Sequence, residues 1–160
     1  MRNILIPTDY TLISMEEAAQ AVRQLEGRFN IIFFHAFDMP ASLMEVMVRG
    51  QAMQQQILIT ENIRHRCKRI KQQNKQIGQI YFKPMYGSSV AVFRNYLMAN
   101  DIDMILLPPA YRYVPVLKES INPQPLFDKQ IVPVVTAANN TVIYSVNGGL
   151  AQTSSVLAIR

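Results

Sequence analysis

The 160-residue sequence is poor in the residues that build covalent or metal-bound scaffolds, with one cysteine, Cys67, and two histidines, His35 and His65. A single thiol forms no internal disulfide, which agrees with a reducing compartment. Two distant histidines and one cysteine give no metal-ligand spacing, so no metal site is expected. No run approaches the ~18 apolar residues of a membrane helix, and no membrane partner is expected. The start, Met-Arg-Asn ahead of a short strand-like run, lacks the apolar region and small-residue cleavage site of a signal peptide, so the expected location is cytoplasmic. The G-x-S-x-G, H-E-x-x-H and G-x-x-x-x-G-K-[ST] patterns are all missing. With no catalytic constellation in view, the chain is not expected to be an enzyme. Glycine is also scarce, six in all, and none occurs between Gly87 and Gly148.

What is present belongs to a globular protein. Hydrophobic residues make up 49% and charged residues 17%, and the length suits one domain with a real core. The net charge of +5, with a pI near 9.5, favours polyanions weakly.

The first informative stretch is residues 3–10, N-I-L-I-P-T-D-Y. Three consecutive aliphatics, Ile4, Leu5 and Ile6, read as the central strand of a parallel sheet buried on both faces, and the chain leaves the sheet at Pro7. Thr8 and Asp9 then lie just past a strand's carboxyl end, where open α/β sheets bind ligands. Asp9 is either a functional carboxylate or a cap or turn residue, since its carboxylate accepts backbone N–H bonds well. Next, Met15, Ala18, Val22 and Leu25 form one stripe of a helix over residues 14–25, with Ser14 and Glu17 fitting a capping box. A second buried strand, containing His35, is expected over 30–37. Pro40 breaks the chain, and a long, mostly helical stretch is expected over 42–76, its second half striped by Ile59, Ile63, Cys67 and Ile70. Cys67 on that stripe reads as a small core hydrophobe. A strand over 79–85, a turn at Gly87, a helix over 88–99 and a strand over 103–107 follow. A short helix over 116–120, a kink at Asn122-Pro123-Gln124-Pro125 and a strand over 132–136 close the series. Alternation of this kind predicts a doubly wound α/β fold with a five-stranded parallel sheet and helices on both faces. Residues 138–160, with a strong turn signal at Asn147-Gly148-Gly149, read as a strand-like arm appended to a domain of residues 1–137.

The pieces N-I-L-I-P-T-D at 3–9, the strand segment at 31–37 with His35, the turn and helix opening at Tyr86-Gly87, D-I-D-M-I-L-L at 101–107 and V-P-V-V at 132–135 come in one order and spacing. In these the chain resembles the universal stress protein family. The resemblance implies sheet order 3-2-1-4-5, a role in stress response and a homodimer paired through the last strand. It also implies an aspartate after strand one, matched by Asp9. ATP-binding members carry a glycine loop, G-x2-G-x9-G followed by Ser or Thr, after strand four. The positions that would hold it are Pro108, Tyr111, Ile121 and Asn122. Glycine lets backbone N–H groups approach phosphate oxygens, whereas proline removes a donor and fixes φ, so ATP is not expected as a cofactor.

The candidate cleft is therefore Thr8, Asp9, His35, Pro108, Tyr111 and Arg112. Tyr111 and Tyr113 either plug it or stack on a planar ligand, and Arg112 suits a carboxylate or phosphate. The expected role is a non-enzymatic homodimeric binding or interaction module, with a small molecule or protein as partner. An ATP- or AMP-binding protein with a rebuilt phosphate site is the alternative. Arg64, Arg66, Lys68, Arg69, Lys71 and Lys75 form a cationic helix edge, read as a solvated face with no specific nucleic-acid partner. The arm is expected to cover or extend the last strand's edge and to contribute to the homodimer.

Overall fold

Ile4, Leu5 and Ile6 are fully buried, as a strand covered on both faces requires. The computed structural model describes residues 1–39, 58–129, 132–138, 141–145 and 152–155. The main sheet contains β1 (Arg2–Pro7), β2 (Phe29–Phe34), β4 (Ile77–Phe82), β6 (Met104–Leu107), β8 (Val134–Ala138), β9 (Thr141–Ser145) and β10 (Gln152–Ser155). Its order is β10-β9-β8-β6-β1-β2-β4, and the five strands from β8 to β4 pair in parallel. In chain order those five read 3-2-1-4-5, as expected. The arm continues the same sheet, because β9 pairs antiparallel with β8, and β10 with β9. The expected boundary after residue 137 thus falls inside β8. The 147–149 turn and residues 156–160 of the expected arm lie outside the described residues; the second strand of the arm that is described runs over Gln152–Ser155.

Alternation along β1 and β2 splits the core into two layers. Ile4, Ile6, Ile31 and Phe33 point to the face covered by α1 (Leu12–Arg23) and α2 (Glu61–Gln73), where they meet Met15, Val22, Ile63, Cys67 and Ile70. Leu5, Ile32 and Phe34 point to the face covered by α3 (Val90–Ala99) and the four-residue α4 (Gln124–Phe127), meeting Phe93, Leu97, Leu126 and Phe127. Fully burying one such side chain contributes roughly 1.5–3 kcal/mol. Only the second half of the expected 42–76 helix, α2, is visible; residues 42–57 lie outside the described residues.

Local boundaries moved where polar bonds decide them. Thr11, not Ser14, caps α1, its side chain accepting from the Ser14 N–H at 3.2 Å. The expected strands over 30–37 and 79–85 are each broken near their ends. There β3 (Ala36–Phe37) and β5 (Met85–Tyr86) leave the main sheet and form a small three-stranded one with β7 (Ser120–Ile121), in the order β5-β3-β7. The expected helix over 116–120 is absent; a turn ends there in β7, which pairs antiparallel with β3. Gly87, at φ +118, turns the chain from β5 into α3, and a Cβ there would sit 3.1 Å from Val92. The small sheet stands at the carboxyl ends of β2 and β4 and ties the segment after β6 to them.

Candidate functional site

Where β1 ends, the backbone turns sharply. The Thr8 N–H still bonds to the Phe34 carbonyl at 2.9 Å, and its buried hydroxyl accepts from the Tyr10 N–H at 3.0 Å. Tyr10 adopts φ +59, a left-handed conformation uncommon outside glycine, asparagine and aspartate. Its ring goes into the core beside His35 and Phe82, while Asp9 lines the opposite side of the turn. The Asp9 carboxylate accepts from the Thr11 N–H at 3.1 Å and the Thr11 hydroxyl at 2.6 Å. Burial pushes this carboxyl up, but bonds from the Thr11 and Ser14 side chains and from the backbone outweigh it and hold it below the ordinary value. Asp9 is thus a turn residue bracing the cap of α1 and a charged wall of the cleft at once.

His35 lies between β2 and β3 and is 5% exposed. Its Nδ1 lies 2.8 Å from the Thr8 carbonyl, a pure acceptor, so Nδ1 carries the proton. Its Nε2 lies 2.9 Å from the Ser120 hydroxyl. Burial lowers the imidazole pKa against the opposing pull of the Thr8 carbonyl and the Asp9 charge, so the ring is neutral near pH 7 and Nε2 accepts. Ser120 donates that bond, while its oxygen accepts the N–H groups of Val116 and Leu117, both at 3.0 Å. The ring of Tyr113 stacks on His35 at 6.1 Å between centroids, with planes 26° apart.

These bonds decide what the segment after β6 offers a ligand. Pro108, Pro109 and Pro115 have no N–H. The Tyr111 N–H turns back to the Pro108 carbonyl at 2.9 Å, and the Ser120 N–H to that of Leu117 at 3.1 Å. With Val116 and Leu117 bonded to the Ser120 hydroxyl, four backbone N–H groups of residues 108–120 are spent inside the loop, and three positions are prolines with none to offer. The Asp38 N–H bonds to the Glu119 carbonyl at 2.7 Å, fastening the loop to β3.

A cavity of about 290 Å³ lies between this loop and the start of α1. It sits at the carboxyl ends of β1 and β6, where the strand order reverses. All six residues of the sequence-derived cleft line it: Thr8, Asp9, His35, Pro108, Tyr111 and Arg112. Tyr111 is half-buried against the α3 face of the core, and burial, with smaller contributions from Tyr113 and Asp9, pushes its hydroxyl pKa up to about 12. The tyrosines narrow the cleft without filling it. Three contributors escaped the sequence reading. Glu17, taken as part of a cap, lines the cavity; Thr11 holds Asp9; and Ser120 locks the loop. No spacing in the sequence links Ser120 to His35, 85 positions away.

Outside the cleft, Cys67 is buried on the inner stripe of α2, and burial raises its thiol pKa to about 11. On the same helix, Arg66 pairs with Glu16 of α1 at 2.7 Å, and the Lys71 ammonium donates to the Gln79 side chain. Arg64, Lys68, Arg69 and Lys75 are exposed.

No protein-family model matches the sequence, and no curated protein matches it. Solved structures do. The universal stress protein UspA from Lactobacillus plantarum superposes with a TM-score of 0.52 at 14% identity, covering 86% of this chain and 97% of that one. A hypothetical protein known from its crystal structure gives a TM-score of 0.52 at 14% identity, covering 84% and 94%. At that identity the likeness establishes the fold alone, and the fold this chain shares is that of the universal stress proteins.

Proposed function

We propose that this protein is a cytoplasmic, non-enzymatic, homodimeric binding module of the stress-response type, whose cleft takes a small molecule other than ATP. One observation carries this reading. The loop after β6 begins with two prolines, which have no N–H, and turns the amides of Tyr111, Val116, Leu117 and Ser120 onto the Ser120 hydroxyl and its own carbonyls, so those positions are withdrawn from any row of N–H groups that could cradle a polyphosphate. The histidine at the cleft is also committed at both nitrogens, which leaves no free imidazole there. The homodimer reading draws on the sheet, which among the described residues ends on β10, an edge suited to strand pairing with a second copy.

A second reading, ATP or AMP binding through a rebuilt site, is favoured by Asp9 and Arg112, which both line the cavity. Thermal melting of the purified protein with and without ATP, together with the ultraviolet spectrum of the heat-released supernatant, separates the two. A ligand at 100 times its Kd stabilises by ~2.7 kcal/mol. In a chain of this length that corresponds to a rise of roughly 5–10 °C. No nucleotide in the supernatant and no ATP-dependent rise are expected; an ATP-specific rise would sink the proposal.

A further inference from the structure

Two charged side chains line the cavity from different elements, Glu17 from α1 and Arg112 from the loop after β6. Glu17 and Arg112 come from different elements, and among the described residues no ion pair joins them across the cleft; the pair on α1 is that of its neighbour Glu16 with Arg66. The other charge at the cavity, Asp9, is already engaged by Thr11 and Ser14. The same cavity is lined by Tyr113, whose ring stacks on neutral His35, and by an apolar lip of Ile13 and Val114, which are 72% and 46% exposed. The cavity thus presents one open carboxylate, one open guanidinium and an apolar, aromatic lip. It has room for about ten volumes the size of a liquid water.

We propose that the cleft binds a small zwitterion with an apolar or aromatic body, of the class of free amino acids, an assignment that rests on the reading of the cleft as a site for something other than ATP. The ligand ammonium faces Glu17, its carboxylate takes the forked donors of Arg112, and its side chain lies on Tyr113 and the Ile13–Val114 lip. Charge separates this class from the alternatives. A polyphosphate meets two carboxylates, Asp9 and Glu17, against a single guanidinium; a zwitterion satisfies both signs at once.

Isothermal titration calorimetry on the full-length protein tests this with the twenty free amino acids, then with phenethylamine, 3-phenylpropionate and ATP. At least one large apolar amino acid is expected to bind, and the amine and carboxylate probes, each lacking one charge, at least about tenfold more weakly. Arg112→Gln should weaken the amino acid about tenfold or more and leave phenethylamine unchanged, while Glu17→Gln should do the converse for 3-phenylpropionate. Both side chains are at least partly exposed, so unchanged melting temperatures show that the variants are folded. The inference is overturned if no amino acid binds in the millimolar range, if a one-charge probe binds as tightly, or if the variants bind as the wild type does. Absence of amino-acid binding with no ATP binding defeats this inference alone, whereas ATP binding defeats the proposed function itself.

Discussion

Replacing Ser120 with alanine removes one oxygen and strands three groups. The Val116 and Leu117 N–H groups lose their acceptor at 3.0 Å, and His35 Nε2 loses its donor at 2.9 Å. A buried polar group left without a partner costs about 1–3 kcal/mol. Ser120 is only half-buried, so water recovers part of the loss at the two amides, and a total of roughly 2–4 kcal/mol is expected. At about 2–4 °C per kcal/mol for a chain of this size, Ser120→Ala should melt roughly 5–15 °C lower. Urea unfolding followed by circular dichroism measures the free energy directly. Ser88→Ala, at an exposed serine before α3, serves as the control and should stay within about 0.5 kcal/mol of the wild type. A Ser120→Ala loss no larger than the control's would mean that the oxygen does not hold the loop, and the account of the closed phosphate segment would fall with it.

The same latch predicts a pH dependence. Burial keeps the His35 pKa below its ordinary 6.5 in the folded protein, so below that pH the unfolded chain binds the extra proton first. The contribution of neutral His35 is fully present above pH 6.5 and is lost as pH falls through the folded pKa. Urea titrations between pH 8 and 5 should show this decline in the wild type and a shallower one in His35→Gln; parallel curves would refute the assignment. Cys67, with its thiol pKa near 11, should resist a thiol reagent at pH 8 in the native protein and react at once in denaturant, and rapid native labelling would contradict its burial. Truncation after Ala138 strips β9 from β8 and should both destabilise the sheet and abolish the homodimer; a shortened protein that stays folded and dimeric at low micromolar concentration, as its mass in solution would show, rules the arm out as the fastening.

How much of this was legible in the sequence follows from which forces decide each element. Ile4-Leu5-Ile6 and Met104-Ile105-Leu106-Leu107 are readable as central strands because burial on both faces leaves nothing but apolar residues. The stripe of Ile63, Cys67 and Ile70 is readable because one helix face is buried. The cleft residues were found by position alone, since topology brings the ends of β1 and β6 together whatever follows them. The misplaced parts are those settled at long range. Residues 116–120 have helix-compatible composition, but the Ser120 hydroxyl is claimed by His35 and its strand pairing by Phe37. The break between β2 and β3 is invisible in N-I-I-F-F-H-A-F, because only the small sheet requires it. Ser14 matched the capping box by spacing, yet Thr11 took the cap because Asp9 holds it in place.

The scarcity of glycine after Gly87 therefore reaches further than a missing cradle. A loop of prolines and bulky residues does not wrap its amides closely around an anion, and the amides it turns inward need acceptors of their own. The loop carbonyls supply two, and the Ser120 oxygen the next two. Because that oxygen spends its acceptor capacity on backbone, its hydrogen must find an acceptor, and the nearest is His35 Nε2, which serves only while the imidazole is neutral. Neutrality in turn needs burial, with Nδ1–H given to the Thr8 carbonyl at the end of β1. The loop after β6 and the turn after β1 are thus joined through a single uncharged ring at the base of the cleft. Protonating that ring turns Nε2 into a donor aimed at an oxygen already accepting two N–H bonds, and leaves the serine hydrogen without its acceptor. Acidification should consequently loosen residues 108–120 before it unfolds the sheet, which hydrogen exchange would register as a fall in the protection of the Val116 and Leu117 amides, relative to their intrinsic rates at each pH, below pH 6.5 while the β1 amides stay protected.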